Sequence, residues 1–303
     1  MKISRELVRE IDRPIVIAIG FFDGLHIGHR EIVRATLRMR KPGWRSGVLT
    51  FSNHPAAFLR PGSEPSLLST VEERIDRFAA AGFEECFFVP FDERVASTEP
   101  RAFLELLVGR LGVRGVAVGE TFRYGHKRAG DVEQMRAYYA DKNVSVAAVP
   151  SVTLDGERVS STRIRALVAE GNMERAEAML GYGYELRGTV ELGAGRGHGL
   201  GFPTANVRVP EKLLPRDGVY SGVGRYDGRD YAALISIGTN PQFGGELRTV
   251  EAWLRDFRGS IYGRELALRD LRFVREQSVF GSIDELVAQM QRDLEAVAYP
   301  SFL

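Results

Sequence analysis

The stretch from Ile15 to Val33, IVIAIGFFDGLHIGHREIV, constrains the fold of this chain more than any other. Its first five residues, Ile15 to Ile19, have the length and β-branched content of a buried strand. Gly20 then opens a turn through Phe21, Phe22, Asp23 and Gly24. From Leu25 onward the apolar residues Ile32, Val33 and Leu37 fall near helical spacing. His26 and His29 are three apart, so on a helix or its first turn they share one face. A strand that passes through a glycine-bearing turn into a helix start offers free backbone N–H groups and the helix dipole to an anion. Two imidazoles on that face add donors aimed at the same place. Spacing alone also accommodates a surface histidine pair or half of a metal site.

The rest of the chain sorts into two halves. At 303 residues it is long enough for two domains, each with its own core. Strands are expected at 47–51, 85–91, 115–118 and 144–149, with helices at 67–81 and 101–111 between them. The 67–81 helix is expected to carry Glu72, Glu73 and Arg74 on its outer side. Strands alternating with helices predict a parallel sheet covered on both faces. A helical run from Ala166 to Leu180 follows, and Gly181-Tyr182-Gly183-Tyr184 interrupts it. Beyond Arg187 glycine is dense and the apolar runs are short. Strands at 220–224, 232–237, 250–256 and 266–273 predict an antiparallel barrel or sandwich. An amphipathic helix from Ser282 to Ala296 closes the chain, with Ser282 and Glu285 spaced as a capping box. The boundary is placed at about residue 183, giving domains 1–182 and 183–303.

Composition narrows the classes of function. Hydrophobic residues are 44% and charged residues 27%, as in ordinary globular proteins. Lys and Arg number 41 against 40 Asp and Glu, a net charge of +1, so bulk charge gives no reason to expect a nucleic-acid partner. Cys86 is the single cysteine, which excludes an intrachain disulfide. No apolar run approaches the roughly 20 residues of a membrane span, and the charged start MKISRELVREID does not read as a signal peptide. The expectation is a cytoplasmic protein with no membrane partner.

Four further stretches carry chemistry. His54 and Pro55 follow the second strand, where open α/β sheets place ligands, though a plain loop opening has the same look. The segment 118–131, VGETFRYGHKRAGD, sets Phe122 and Tyr124 among Arg123, Lys127 and Arg128. That mixture suits a planar ring beside phosphates, or simply a solvated basic loop. In RVSSTRIR, Ser160, Ser161 and Thr162 are good helix N-caps, and with Arg158, Arg163 and Arg165 they also form a triphosphate-binding corner. Finally, in GAGRGHGLGFPTAN the alternate glycines from 193 to 201 make either backbone nests for phosphate or a flexible hairpin. Neither the dinucleotide fingerprint nor a P-loop is present. Thr204 and Asn206, two apart, share a face on a strand and offer oxygens suited to Mg²⁺.

These motifs and their order resemble the bacterial bifunctional riboflavin kinase/FMN adenylyltransferase (FAD synthetase) family. His26-Ile27-Gly28-His29 is similar to the HxGH signature of nucleotidyltransferases, and GFFDGLHIGH is closer still to the FMN adenylyltransferase half. Ser160 to Arg165 resembles the SSTxxR motif of that site. GLGFPTAN, DGVYSGV, SIGTNPQFG and VEAWLRDF then follow in the order of riboflavin kinases. The resemblance implies a Rossmann-like nucleotidyltransferase domain and a riboflavin kinase-like barrel with a closing helix. In the first it implies ATP binding by Gly20, Phe21, Asp23, Gly24, His26, His29, Arg158, Ser161, Thr162 and Arg165, and flavin binding by His54, Pro55, Phe122 and Tyr124. In the second it implies ATP binding by Gly195, Arg196, Gly197, Gly201, Thr204 and Asn206, Mg²⁺ on Thr204 and Asn206, and a flavin-side Arg275. Glu251, by itself an unremarked strand carboxylate, becomes the general base. ATP serves at both sites, ADP and FMN leave the first reaction, and FAD leaves the second. Two positions depart from the pattern: Thr121 stands where Asn or Asp is usual, and His198 where an arginine-like residue is usual.

Overall fold

Ile15 to Ile19 are buried at every position, as expected of a central strand covered on both faces. The structure is a computed structural model that describes residues 1–8, 11–192, 203–210, 212–239, 248–278 and 280–296. Contacts divide the chain into two compact units, Met1–Ser161 and Thr162–Leu303.

In the first unit the strands are β1 (Lys2–Ser4), β2 (Ile15–Ile19), β3 (Arg45–Phe51), β4 (Glu85–Val89), β5 (Val113–Gly119), the short β6 (Arg123–Tyr124) and β7 (Gly130–Asp131), and β8 (Ser145–Val149). A two-residue pair, β9 (Thr153–Leu154) and β10 (Glu157–Arg158), ends the series, and the helices between are α1 (Ile27–Met39), α2 (Pro55–Leu59), α3 (Val71–Ala80), α4 (Glu93–Ala96), α5 (Pro100–Leu111) and α6 (Val132–Tyr139). Six of them form one parallel sheet in the order β1-β4-β3-β2-β5-β8. The chain steps outward from β2 to β3 and β4, then returns to the other side of β2 with β5. The crevice at the carboxyl ends of β2 and β5 is therefore the topological switch point, where open sheets bind ligands.

Successive β2 residues feed opposite cores, as a pleated strand requires. Ile15, Ile17 and Ile19 pack with Leu104, Leu107 and Leu111 of α5 (Pro100–Leu111), whereas Ala18 packs with Ile32 and Val33 of α1 (Ile27–Met39) and Phe78 of α3 (Val71–Ala80). The expected 67–81 helix starts later, at Val71, because Thr70 caps it in a reciprocal box with Glu73. Leu68 and Ser69 are left outside the helix. Cys86 lies in the second core with no exposure, and burial pushes its thiol up to about 12. A thiol reagent at pH 8 should therefore find no reactive group in the native protein and one per chain after unfolding.

The second unit begins one residue into α7 (Ser161–Glu170) and continues with α8 (Met173–Leu180). The single helical run expected from Ala166 to Leu180 is thus two helices. Gly171, at φ 78°, takes a left-handed turn between them, and Asn172 caps α8 by accepting from the Arg175 N–H. Glu177 of α8 is held by the Tyr184 N–H at 3.0 Å and the Arg272 guanidinium at 2.9 Å, tying this helix to the strands that follow. Those strands are β11 (Leu186–Glu191), β12 (Ala205–Arg208), β13 (Gly218–Tyr226), β14 (Arg229–Gly238), β15 (Thr249–Leu254) and β16 (Glu265–Arg275). They close an antiparallel barrel in the order β11-β12-β15-β14-β13-β16, with β16 returning to β11.

Burial alternates along β15: Val250, Ala252 and Leu254 are buried, whereas Thr249, Glu251 and Trp253 are half-buried on the other face. That other face carries Val219, Ala232, Leu234 and Trp253, and Leu294 of α9 (Ile283–Ala296) packs against them. Ser282 caps α9 by accepting from the Glu285 N–H, and the Glu285 carboxylate reaches back to the Gly281 N–H.

Candidate active sites

At the end of β2 the backbone turns sharply. Phe22 is left-handed at φ 58° and Gly24 at φ 76°, which swings the chain into the first turn of α1. His26 is the N-cap of α1, and its Nδ1 accepts the His29 N–H at 3.2 Å. Nε2 then carries the proton of the neutral ring and is the atom able to donate. The two imidazoles stack, centroids 3.6 Å apart and 15° from parallel, and Phe22 meets His29 edge-on at 5.2 Å. Both rings thus stand at the positive end of a 13-residue helix at the sheet's switch point. The arrangement suits an anionic phosphate. Among the described residues no three His, Cys, Asp or Glu side chains gather as a metal site.

Two long-range contacts complete this corner. The Ser161 hydroxyl donates to the Asp23 carbonyl at 3.0 Å, so two motifs 138 residues apart meet. The Asp23 carboxylate, buried to 1% exposure, accepts the Leu68 and Ser69 N–H groups and the Ser69 hydroxyl at 3.0 to 3.1 Å. It anchors the turn to the segment before α3. Removing that acceptor strands buried donors, so Asp23→Ala should lower the unfolding free energy of this unit by about 2–3 kcal/mol in denaturant titration.

The other residues expected here fall as follows. His54 caps α2 (Pro55–Leu59) through Nδ1 and the Ala56 N–H, Pro55 takes the first helical position, and the His54 ring meets Phe21 edge-on at 4.7 Å. Phe122 is half-buried and stacks with Tyr124. Tyr124 itself is 5% exposed, its ring part of the core and its hydroxyl without a hydrogen-bond partner among the described residues; burial pushes that phenol up to about 12. Arg123 pairs with Asp131 at 2.9 Å. Arg158 and Thr162 are exposed, and Thr162 and Arg165 follow Ser161 on α7.

In the barrel, register does the assembling. Asn206 pairs directly with Glu251, and Glu251 with Ser236 on its other side. Directly paired residues point to one face, so carboxylate, amide and hydroxyl stand in a cross-strand row. The row continues through Val219 to Arg275. Thr204, Asn206 and Glu251 are half-buried. Thr204 stands one residue before β12, and its hydroxyl, the Asn206 amide oxygen and the Glu251 carboxylate opposite Asn206 are the donor chemistry a hard cation prefers, so these residues fit Mg²⁺. Arg275 is already engaged: its guanidinium grips the buried Asp293 of α9 at 2.6 to 3.0 Å, and Gln289 adds a bond to the same carboxylate. Gly195, Arg196, Gly197 and Gly201 lie outside the described residues, as does His198.

One residue overturns its expected place. Arg74 is not on the outer side of α3 but wholly buried, with 0% exposure. Its Nη1 donates to the Phe21 and Phe51 carbonyls, and its guanidinium lies over the Phe21 and Phe88 rings at 4.7 and 5.0 Å. The signal was available: Val71, Arg74 and Phe78 are spaced as one helical stripe, so Arg74 falls on the apolar face.

The two units, a parallel sheet and a closed barrel, match two families of transferase. The family model described as FAD synthetase matches residues 8–163, and the one described as riboflavin kinase matches residues 180–299. The chain belongs to the bifunctional riboflavin kinase/FMN adenylyltransferase family. A relative of that name from Listeria monocytogenes is 34% identical over 92% of this chain and 90% of its own. Those from Bacillus subtilis and Escherichia coli are 31% and 32% identical, over 98% and 92% of this chain and 96% and 90% of their own. A crystal structure from Streptococcus pneumoniae, described as a macrolide-efflux protein, superposes with a TM-score of 0.88 at 28% identity and 99% coverage of both chains. Its name differs from those of the sequence relatives, and the family assignment rests on the latter and on the two family models. Among the described residues no helix is long and apolar enough to cross a membrane.

Proposed function

We propose that the two reactions of FAD biosynthesis are divided between the two motif sets, adenylyl transfer on the first and phosphorylation on the second. The chain phosphorylates riboflavin with ATP to FMN, then joins FMN to the adenylyl group of a second ATP, releasing pyrophosphate. The observation that carries the division is that each motif set closes on itself: Ser161 on the Asp23 carbonyl beside the stacked histidines, and Asn206 opposite Glu251 in the barrel.

For phosphorylation, Glu251 accepts the proton of the riboflavin 5′-hydroxyl as that oxygen attacks the γ-phosphate of ATP, and ADP leaves. Thr204 and Asn206 would hold Mg²⁺, which when bound neutralises phosphate charge. Gly195, Arg196, Gly197 and Gly201 are assigned to the phosphates by their motif. Arg275, clasped by Asp293, is assigned to fixing α9 on the flavin side. The 1–182 and 183–303 limits remain our reading of the functional domains.

For adenylyl transfer, the phosphate of FMN attacks the α-phosphate of ATP. His26 Nε2 and the His29 ring donate to the charge that builds on that phosphate, aided by the α1 N-terminus. Arg158, Ser161, Thr162 and Arg165 hold the leaving pyrophosphate, while His54, Pro55, Phe122 and Tyr124 form the flavin side. Alignment and electrostatics suffice, with no covalent enzyme intermediate. We read the protein as cytoplasmic, acting on small molecules without nucleic-acid or membrane partners. The test is to supply each half-reaction alone. FMN and ATP should yield FAD and pyrophosphate, and riboflavin and ATP should yield FMN and ADP; failure of either removes that half of the assignment.

A further inference from the structure

Arg74 is the most heavily buried charged residue among the described residues of the first unit, and neither reaction as described above uses it. A guanidinium has five N–H donors. Here Nη1 serves the Phe21 and Phe51 carbonyls, while Nε and Nη2 have no hydrogen-bond partner among the described residues. Burial pushes this guanidinium down from its ordinary range, and the nearby Asp23 charge offsets part of that. Packing alone would be served better by an apolar side chain, because a buried ion with unmade bonds is costly. What the bonds hold is therefore informative.

Phe21 and Phe51 stand just beyond β2 and at the end of β3, the two neighbouring strands whose loops carry His26 and His54. The Phe21 carbonyl also accepts from the Thr50 hydroxyl at 3.0 Å. It is thus fixed by two donors, and it belongs to the peptide that leads directly into left-handed Phe22. Phe22 in turn sets its ring against His29. On the other side, the Phe21 ring lies between Arg74 and the His54 ring. One buried cation thereby grips the root of both loops.

We infer that Arg74 is a positioning residue of adenylyl transfer: by clamping the Phe21 carbonyl and ring it holds the strained Phe22 turn, and with it the His26–His29 pair, in the geometry that meets the α-phosphate. The inference rests on adenylyl transfer belonging to the parallel-sheet unit. A misplacement of about 1 Å costs on the order of 100-fold in rate.

The test uses the full-length chain with Arg74→Met and Arg74→Lys. FAD formation from FMN and ATP, phosphorylation of riboflavin and the unfolding transition are read on each preparation. Arg74→Met should lower kcat for FAD formation about 100-fold with little change in KM for ATP. Phosphorylation should be unchanged, since that reaction uses the barrel. Arg74→Lys keeps the charge and can reach a carbonyl but lacks the planar fork, so a smaller loss of roughly tenfold is expected. A folded Arg74→Met protein with native kcat overturns the proposal, as does a loss that only tracks the fraction unfolded. Should Arg74→Met not fold, Arg74→Lys decides alone, and a native kcat there overturns it. His29→Ala is run alongside. If it leaves FAD formation intact, the site assignment has failed rather than the role of Arg74.

Discussion

Glu251→Ala is expected to slow riboflavin phosphorylation severely and to leave the conversion of added FMN to FAD at its native rate. Glu251 sits on the half-buried face of β15, away from the Val250, Ala252 and Leu254 side that fills the barrel, so its loss opens no core cavity. Its neighbours across the strands, Asn206 and Ser236, cannot replace it, because an amide and a hydroxyl are poor proton acceptors at neutral pH. General-base catalysis contributes about 10²- to 10⁴-fold, and a fall of that size in kcat is expected. KM for ATP should move little. Initial rates of the two half-reactions on one preparation measure both, and equal loss of both in a folded protein would refute the division of labour.

The reverse outcome is expected for His29→Ala: FAD formation falls by about 10²- to 10³-fold while phosphorylation of riboflavin continues. The ring is one of a stacked pair at the α1 N-terminus, so the substitution removes a donor and frees its partner's orientation together. Because the charge on the α-phosphate grows toward the transition state, kcat should suffer more than KM. A rise in KM with kcat preserved would instead make His29 a ground-state contact. The backbone N–H of residue 29 still bonds His26 in the variant, so the helix cap survives.

Local periodicity carried much of the architecture. The apolar run 15–19 and the glycine turn after it were readable as a strand and a turn into a helix, since both depend on neighbours in sequence. The change at Arg187 to short runs between turns announced the barrel in the same way. What sequence could not supply were pairings across distance. Nothing near Asp23 says that its carboxylate accepts the Leu68 and Ser69 N–H groups, 45 and 46 positions on. Nor does the FVREQSVF motif disclose that Arg275 is clasped by Asp293, a residue 18 positions on. The cross-strand meeting of Asn206 and Glu251 is a matter of register, which depends on how the whole barrel closes. Arg74 is different: its position on the apolar stripe of α3 was visible, but its charge argued for the surface. Buried arginines read as surface residues because their partners, here two carbonyls and two rings, are assembled only by the fold.

The central claim, two ATP-dependent reactions in series on one chain, is tested most directly by a time course. Purified protein is incubated with riboflavin, ATP and Mg²⁺, and the flavins are resolved by chromatography. The account predicts that FMN rises first and FAD follows from it, with pyrophosphate released alongside FAD. Riboflavin left unconverted, or FMN that accumulates with no FAD at any time, would contradict it.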